Sequence, residues 1–124
     1  MVPQRTDRPP RGRFAPSPSG RMHLGNLFSA LLAWLSVRAA GGVMVLRMED
    51  LDPDRCRPEY AAQLAEDLRW LGLDWDEGYG LGGPHGPYLQ SERTERYAAV
   101  FRALENRGLI YPCFCTRAER LAAS

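Results

Sequence analysis

Apolar positions along this chain fall into blocks of different period. Arg13 to Ala15 forms a short extended segment around Phe14, followed by a loop rich in Pro, Ser and Gly that runs to Asn26. From Leu27 to Ala40 the apolar residues Leu27, Phe28, Leu31, Leu32, Trp34, Leu35 and Val37 recur at helical spacing but spread almost all round the cylinder. Such a helix expects burial on most of its faces, and so more protein around it than one thin layer. After Gly41-Gly42, Val43 to Met48 reads as a second apolar strand, ending in the acidic run Glu49-Asp50-Leu51-Asp52. Strand, helix and strand within about thirty residues predict a crossover between parallel strands. The first loop and the end of the second strand then share the carboxyl edge of the sheet, where open α/β sheets bind ligands.

Downstream, residues 52–57 read as a turn, and Pro58 suits the first position of a helix. Tyr60, Leu64, Leu68 and Leu71 form its apolar stripe, which stops before Gly72. A Gly/Pro-rich loop, Gly78 to Pro87, leads to Ser91, the expected N-cap of a third helix whose stripe is Tyr97, Val100, Phe101 and Leu104. Gly108 is the expected stop. The segment from Leu109 to Thr116 carries Cys113-Phe114-Cys115 and resembles the opening of a metal knuckle.

Composition narrows these readings. The 124 residues make one domain or part of one. Residues 1–47 hold seven Arg against one Asp, whereas the remainder holds nine Arg against fourteen acids. The leading half therefore suits anionic ligands such as phosphate, and the near-zero total excludes a general nucleic-acid binder. Every basic residue is Arg, with no Lys. The polar, Pro/Arg-rich residues 1–11 read as a flexible arm and do not resemble a signal peptide. No apolar run is long enough to cross a bilayer. Three Cys fit a reduced cytosol better than a disulfide framework.

Three groups could carry chemistry at that edge. His23-Leu24-Gly25-Asn26 stands at a helix start, where free N–H groups favour a phosphate; His23 could donate to it or simply cap the helix. Arg13 offers a fork suited to a carboxylate, and Glu49 could receive an ammonium group, unless the two pair with each other or lie on a solvated rim. Among the remaining candidates, Trp34, Trp70 and Trp75 could stack on bases but are expected to pack. The acids after the second strand could hold a divalent cation or serve as caps. Cys56 reads as a thiol in a turn and His85 as an exposed loop residue.

Taken in order, Arg13-Phe14-Ala15-Pro16-Ser17-Pro18-Ser19-Gly20, His23-Leu24-Gly25-Asn26, Leu46-Arg47-Met48-Glu49-Asp50-Leu51-Asp52-Pro53, Leu71-Gly72-Leu73-Asp74-Trp75-Asp76, Gln90-Ser91-Glu92-Arg93 and Tyr111-Pro112-Cys113-Phe114-Cys115-Thr116 resemble the glutamyl branch of class I aminoacyl-tRNA synthetases. Ser19, Leu51 and the loop Gly82 to Tyr88 resemble a short subgroup without an anticodon-binding domain. The resemblance implies an α/β, Rossmann-like catalytic domain over 12–124, its N-terminal half, with a zinc-binding insertion beginning about 109. It implies that Arg13, Phe14, Ala15, Pro16, Ser17 and Glu49 bind L-glutamate, and that His23, Gly25 and Asn26 belong to the first class signature, which holds ATP with its Mg2+. Cys113 and Cys115 would be two zinc ligands, the others lying beyond residue 124.

The implied reaction is formation of glutamyl-adenylate. Transfer to the queuosine base of tRNA(Asp) would follow, in a cytoplasmic monomer that does not touch membranes. Two departures stand out. Phe28-Ser29 replace a frequent Arg-Thr, and a chain without Lys lacks the second, Lys-rich signature. The chain is therefore expected to be an N-terminal piece with little adenylation activity of its own. The alternatives are a piece of a synthetase charging tRNA(Glu) and a non-catalytic nucleotide- or RNA-binding remnant.

Overall fold

The computed structural model describes residues 9–123. Three parallel strands, β1 (Arg11–Phe14), β2 (Val43–Leu46) and β3 (Glu77–Gly78), lie in the order β1-β2-β3. Helix α1 (Leu24–Ala39) links the first pair and α2 (Pro58–Trp70) the second. The register sets Gly12 opposite Met44 and Phe14 opposite Leu46. Those alternate positions face α1, and a Cβ at Gly12 would overlap Val37 of that helix. Beyond β2 the pairing continues, because Met48 bridges Leu89 in parallel.

The core gathers where β2 meets both helices: Met44, Leu46, Met48, Ala61, Leu64, Ala65 and Leu68, closed by Leu73 and Trp75. The segment before β3 alternates between core and surface. Leu73 and Trp75 point inward, while Asp74 and Asp76 receive the Arg38 guanidinium at 2.9 and 2.7 Å. Asp74 Oδ1 also accepts from Trp34 Nε1 at 2.8 Å, and Asp76 Oδ2 from the Met44 amide at 2.7 Å. One Arg thus ties the end of α1 to the segment between α2 and β3.

Several sequence expectations are corrected. Arg11 belongs to β1 rather than to the arm, and the Val43 amide donates to Pro10 O. Residues 1–8 of that arm lie outside the described residues. Helix α1 begins three residues earlier than expected, because His23 and not a later residue caps it. It is not buried on most faces: Ala30 and Val37 are buried, while Leu24 is 82% and Phe28 58% exposed. The helix rests on the sheet through one stripe of small side chains, and the described residues supply no layer for the other. Trp70, expected to pack, is 86% exposed. The two-residue strand β3 was not foreseen.

The described residues divide into two compact units, with the boundary between Arg93 and Thr94. Within the second unit, α3 (Thr94–Asn106) and α4 (Arg117–Ala122) are the helices. Ser91 does not cap α3; it opens a 3-10 turn, Ser91–Arg93, and its hydroxyl donates to Asp50 at 2.6 Å. No residue of α3 is buried, so the expected stripe has no partner layer among the described residues.

Candidate functional site

The first loop is built from buried prolines and exposed serines. Pro16 and Pro18 are buried, whereas Ser17 and Ser19 are exposed. Pro16 O accepts from the Glu49 amide at 2.9 Å and Pro18 O from the Arg57 amide at 3.1 Å. The loop is therefore stitched to both ends of the acidic segment that follows β2, and its hydroxyls are left to face solvent.

Two polar cavities open on either side of this loop. One, of about 360 Å³, is lined by Ser17, Ser19, Glu49, Asp52, Arg55 and Gln90 among others. The second, of about 400 Å³, is lined by Ser17, Ser19, Arg21, His23, Asn26 and Arg55 among others. The first has the carboxylates and the second the imidazole and an extra cation, so they suit an ammonium group and a phosphate respectively. A larger concavity of about 690 Å³, walled by Leu24, Leu27, Phe28, Leu31, Leu71 and Leu73 together with Gly25, which lines neither polar cavity, has no titratable side chain in its lining. It lies along the uncovered stripe of α1 and offers no chemistry.

His23 has a double part. Its Nδ1 accepts from the Gly25 amide at 3.1 Å, and its own amide donates to Asn26 Oδ1 at 3.2 Å, a reciprocal cap on α1. Using Nδ1 as acceptor assigns the proton of the neutral ring to Nε2, which is then the free donor. A Cβ at Gly25 would stand 3.0 Å from His23 Cε1, so glycine keeps room for the ring.

Glu49 Oε1 accepts from Arg47 Nη2 at 2.6 Å, not from Arg13. Arg13 is exposed, with no hydrogen bond or ion pair from its side chain among the described residues. It lies opposite Val45, and strand alternation puts Arg13, Val45, Arg47 and Glu49 on one face of the sheet. Glu49 follows Val45 by four residues, so the backbone positions of Arg13 and Glu49 lie roughly 13 Å apart along the strands. That span fits a molecule with an ammonium group at one end and a carboxylate at the other, met by two long side chains. Phe14 packs toward the core, and its carbonyl accepts from the Arg47 amide. Phe14 and Pro16 therefore shape the site through the backbone, and Ala15 is half-buried between them.

The acidic run is spent on turns. Asp50 accepts from the Ser91 amide and hydroxyl, and Asp52 Oδ1 from the amides of Asp54 and Arg55. Cys113 and Cys115 are both exposed. Among the described residues no three His, Cys, Asp or Glu side chains are grouped to hold a metal, and two thiols alone do not make the set of four ligands that zinc takes. His85 is engaged elsewhere: its Nδ1 lies 2.9 Å from Glu77 Oε1.

Sequence reasoning missed two groups. Arg55, read only as part of a turn, lines both cavities. Glu77, buried at 5% exposure, receives Tyr88, His85 and Arg11. Burial pushes its carboxyl up, but hydrogen bonds from Tyr88, Arg11 and His85 outweigh this and hold it at about 2. Gly83 closes over the cluster at φ 138°, where a Cβ would lie 2.6 Å from the Tyr88 hydroxyl. Arg93 Nε then donates to Pro87 O at 2.8 Å, fixing the loop that pairs with Met48 beside Glu49.

Comparison with known proteins identifies the family of this chain. The family described as tRNA synthetases class I (E and Q), catalytic domain, matches residues 11–124. A glutamyl-Q tRNA(Asp) synthetase of Nitratidesulfovibrio vulgaris is 62% identical over 88% of the chain, which spans 34% of that relative's length. A glutamate--tRNA ligase 2 of Acidithiobacillus ferrooxidans is 51% identical over 91% of the chain and 23% of its own length. Among solved structures, a glutamate tRNA ligase from Elizabethkingia meningosepticum, in complex with its amino acid, superposes with a TM-score of 0.75 at 39% identity. That match covers 80% of this chain and 20% of that one.

Proposed function

Since this chain belongs to the catalytic-domain family of class I tRNA synthetases for glutamate and glutamine, we propose that it contributes the binding half of a glutamate-activating site. L-Glutamate occupies the acid-lined cavity, with its ammonium group at Glu49 and a carboxylate within reach of Arg13 and the Ser17 hydroxyl. ATP lies across the start of α1, where Nε2 of His23, the close approach at Gly25 and the positive end of the helix dipole favour its phosphates. Mg2+ arrives with those phosphates. Glutamate's α-carboxylate attacks the α-phosphate, giving glutamyl-adenylate and pyrophosphate, and alignment of the two substrates supplies much of the rate.

The observation that carries this reading is the pair of polar cavities with a common wall at Ser17 and Ser19, one acid-lined and one basic. Transfer to the queuosine base of tRNA(Asp) is the second step we propose. Its support is the higher identity to a glutamyl-Q tRNA(Asp) synthetase than to a glutamate--tRNA ligase, 62% against 51%. Cys113 and Cys115 give two ligands of a structural zinc site. The chain without Lys binds these substrates but activates glutamate poorly, since the second signature is not in it.

The test is amino-acid-dependent exchange of labelled pyrophosphate into ATP by the protein at its full encoded length. Glutamate alone should support exchange, and acylation should require queuosine-containing tRNA(Asp). Acylation of tRNA(Glu) instead would reassign the acceptor, and absence of exchange would favour a non-catalytic binding module.

A further inference from the structure

The turn from Asp52 to Arg57 lies where the two cavities meet, and it is fixed on several sides. Asp52 Oδ1 accepts from the amides of Asp54 and Arg55 at 3.2 and 3.3 Å, and Asp52 O accepts from the Cys56 amide at 2.8 Å. The Arg57 amide donates to the carbonyl of Pro18, itself among the most buried side chains. A turn held this way to the first loop leaves little freedom in where the Arg55 backbone stands.

Arg55 is the charged residue common to both cavities; the other shared residues are Ser17 and Ser19. Glu49 and Asp52 line only the acidic cavity, and Arg21 and His23 only the basic one. The nearby carboxylates are engaged, Glu49 by Arg47 and Asp52 by the amides of the turn. Among the described residues no hydrogen bond or ion pair takes up the Arg55 guanidinium.

We infer that Arg55 is a catalytic residue of adenylate formation, placed at the boundary where the amino-acid carboxylate meets the α-phosphate. This rests on the reading of the two cavities given above. In the step, a carboxylate oxygen forms a bond to the α-phosphorus while the bond from that phosphorus to the oxygen bridging to the β-phosphate breaks. The electron pair leaves with pyrophosphate, and no proton is transferred. Two anions must be brought together, and negative charge shifts onto the non-bridging oxygens. A fixed cation at the boundary offsets both, and the planar fork of Arg can hold a carboxylate and a phosphate oxygen together.

The experiment is pyrophosphate exchange by the full-length protein carrying Arg55→Met or Arg55→Lys. Arg55→Met should lower kcat about 100-fold, with KM for glutamate and for ATP changed less than about threefold. Arg55→Lys, which keeps the charge and loses the fork, should fall between it and the unsubstituted protein. If Arg55→Met does not fold, as judged by its thermal transition, the kcat of Arg55→Lys decides. Unchanged kcat overturns the assignment, and so does a rise in KM that accounts for the whole loss of kcat/KM. Exchange in the unsubstituted protein with no effect of either substitution removes Arg55 alone; no exchange in the unsubstituted protein removes the reading of both cavities as well.

Discussion

The Tyr88 hydroxyl donates to Oε1 of Glu77 at 2.5 Å, and the carboxyl that receives it is 5% exposed. Glu77 ends near 2 in the fold against an ordinary value of 4.5. A carboxyl depressed in this way stabilises the fold above pH 4.5, and the contribution is lost as pH falls toward 2. The shift corresponds to about 3 kcal/mol. Urea midpoints should therefore drop steeply between pH 5 and 2.5. Glu77→Gln should flatten that slope but not abolish it, because Asp74 and Asp76 are also lowered, chiefly by Trp34 and Arg38 respectively. Tyr88→Phe, which leaves a buried carboxylate one donor short, should cost about 1–3 kcal/mol at pH 7.

The two parts of His23 separate by substitution. His23→Ala removes both the cap and the outward donor, and should cost about 1 kcal/mol of stability together with most of kcat. His23→Asn keeps a capping oxygen, so thermal stability should return while kcat stays about 100-fold down. Recovery of kcat in His23→Asn would reduce the residue to a helix cap.

Glu49→Gln keeps the shape of the acidic cavity and removes its charge toward an ammonium group. KM for glutamate should rise by about 10- to 100-fold, the worth of one charge-assisted hydrogen bond, with KM for ATP nearly constant. Steady-state exchange kinetics with each substrate varied in turn read the two values separately. A parallel rise in both would mean that Glu49 holds the loop through its backbone neighbours rather than the amino acid.

Full-length protein should carry about one zinc per chain, and a Cys113→Ala, Cys115→Ala double variant should carry none. Elemental analysis after dialysis against a weak chelator measures this. Equal zinc in both proteins would place the metal elsewhere.

The central strand-helix-strand unit was legible because its apolar spacing changes period sharply at Gly41-Gly42. Its start was misplaced because His23, a residue with no strong capping preference in sequence, supplies the cap through Nδ1. β3 was hidden because it is two residues long and opens with Glu77, a charge held there by Tyr88, by His85 and by Arg11, the last 66 residues away. Arg11 was assigned to the arm for the same reason: its Pro- and Arg-rich neighbours read as solvated, and its partner is distant in sequence. The helix α1 was legible as a helix but not in its burial, since composition cannot say which apolar face a given stretch of chain covers. At the candidate site, His23 and Glu49, picked by chemical type at the ends of elements, each line one of the two cavities, whereas Arg13 lines neither. Arg55 was not picked, because a turn signal such as Asp52-Pro53-Asp54 fixes backbone shape without revealing what its side chains overlook.

The most direct measurement is a crystal structure of the full-length protein with a non-hydrolysable glutamyl-adenylate analogue. The two cavities predict the ammonium group within hydrogen-bonding distance of Glu49, the adenosine phosphate mimic beside His23 Nε2, and the join between them over Ser17 and Ser19. An analogue bound along Leu24, Phe28 and Leu31, or with its amino-acid end away from Glu49, would contradict the account.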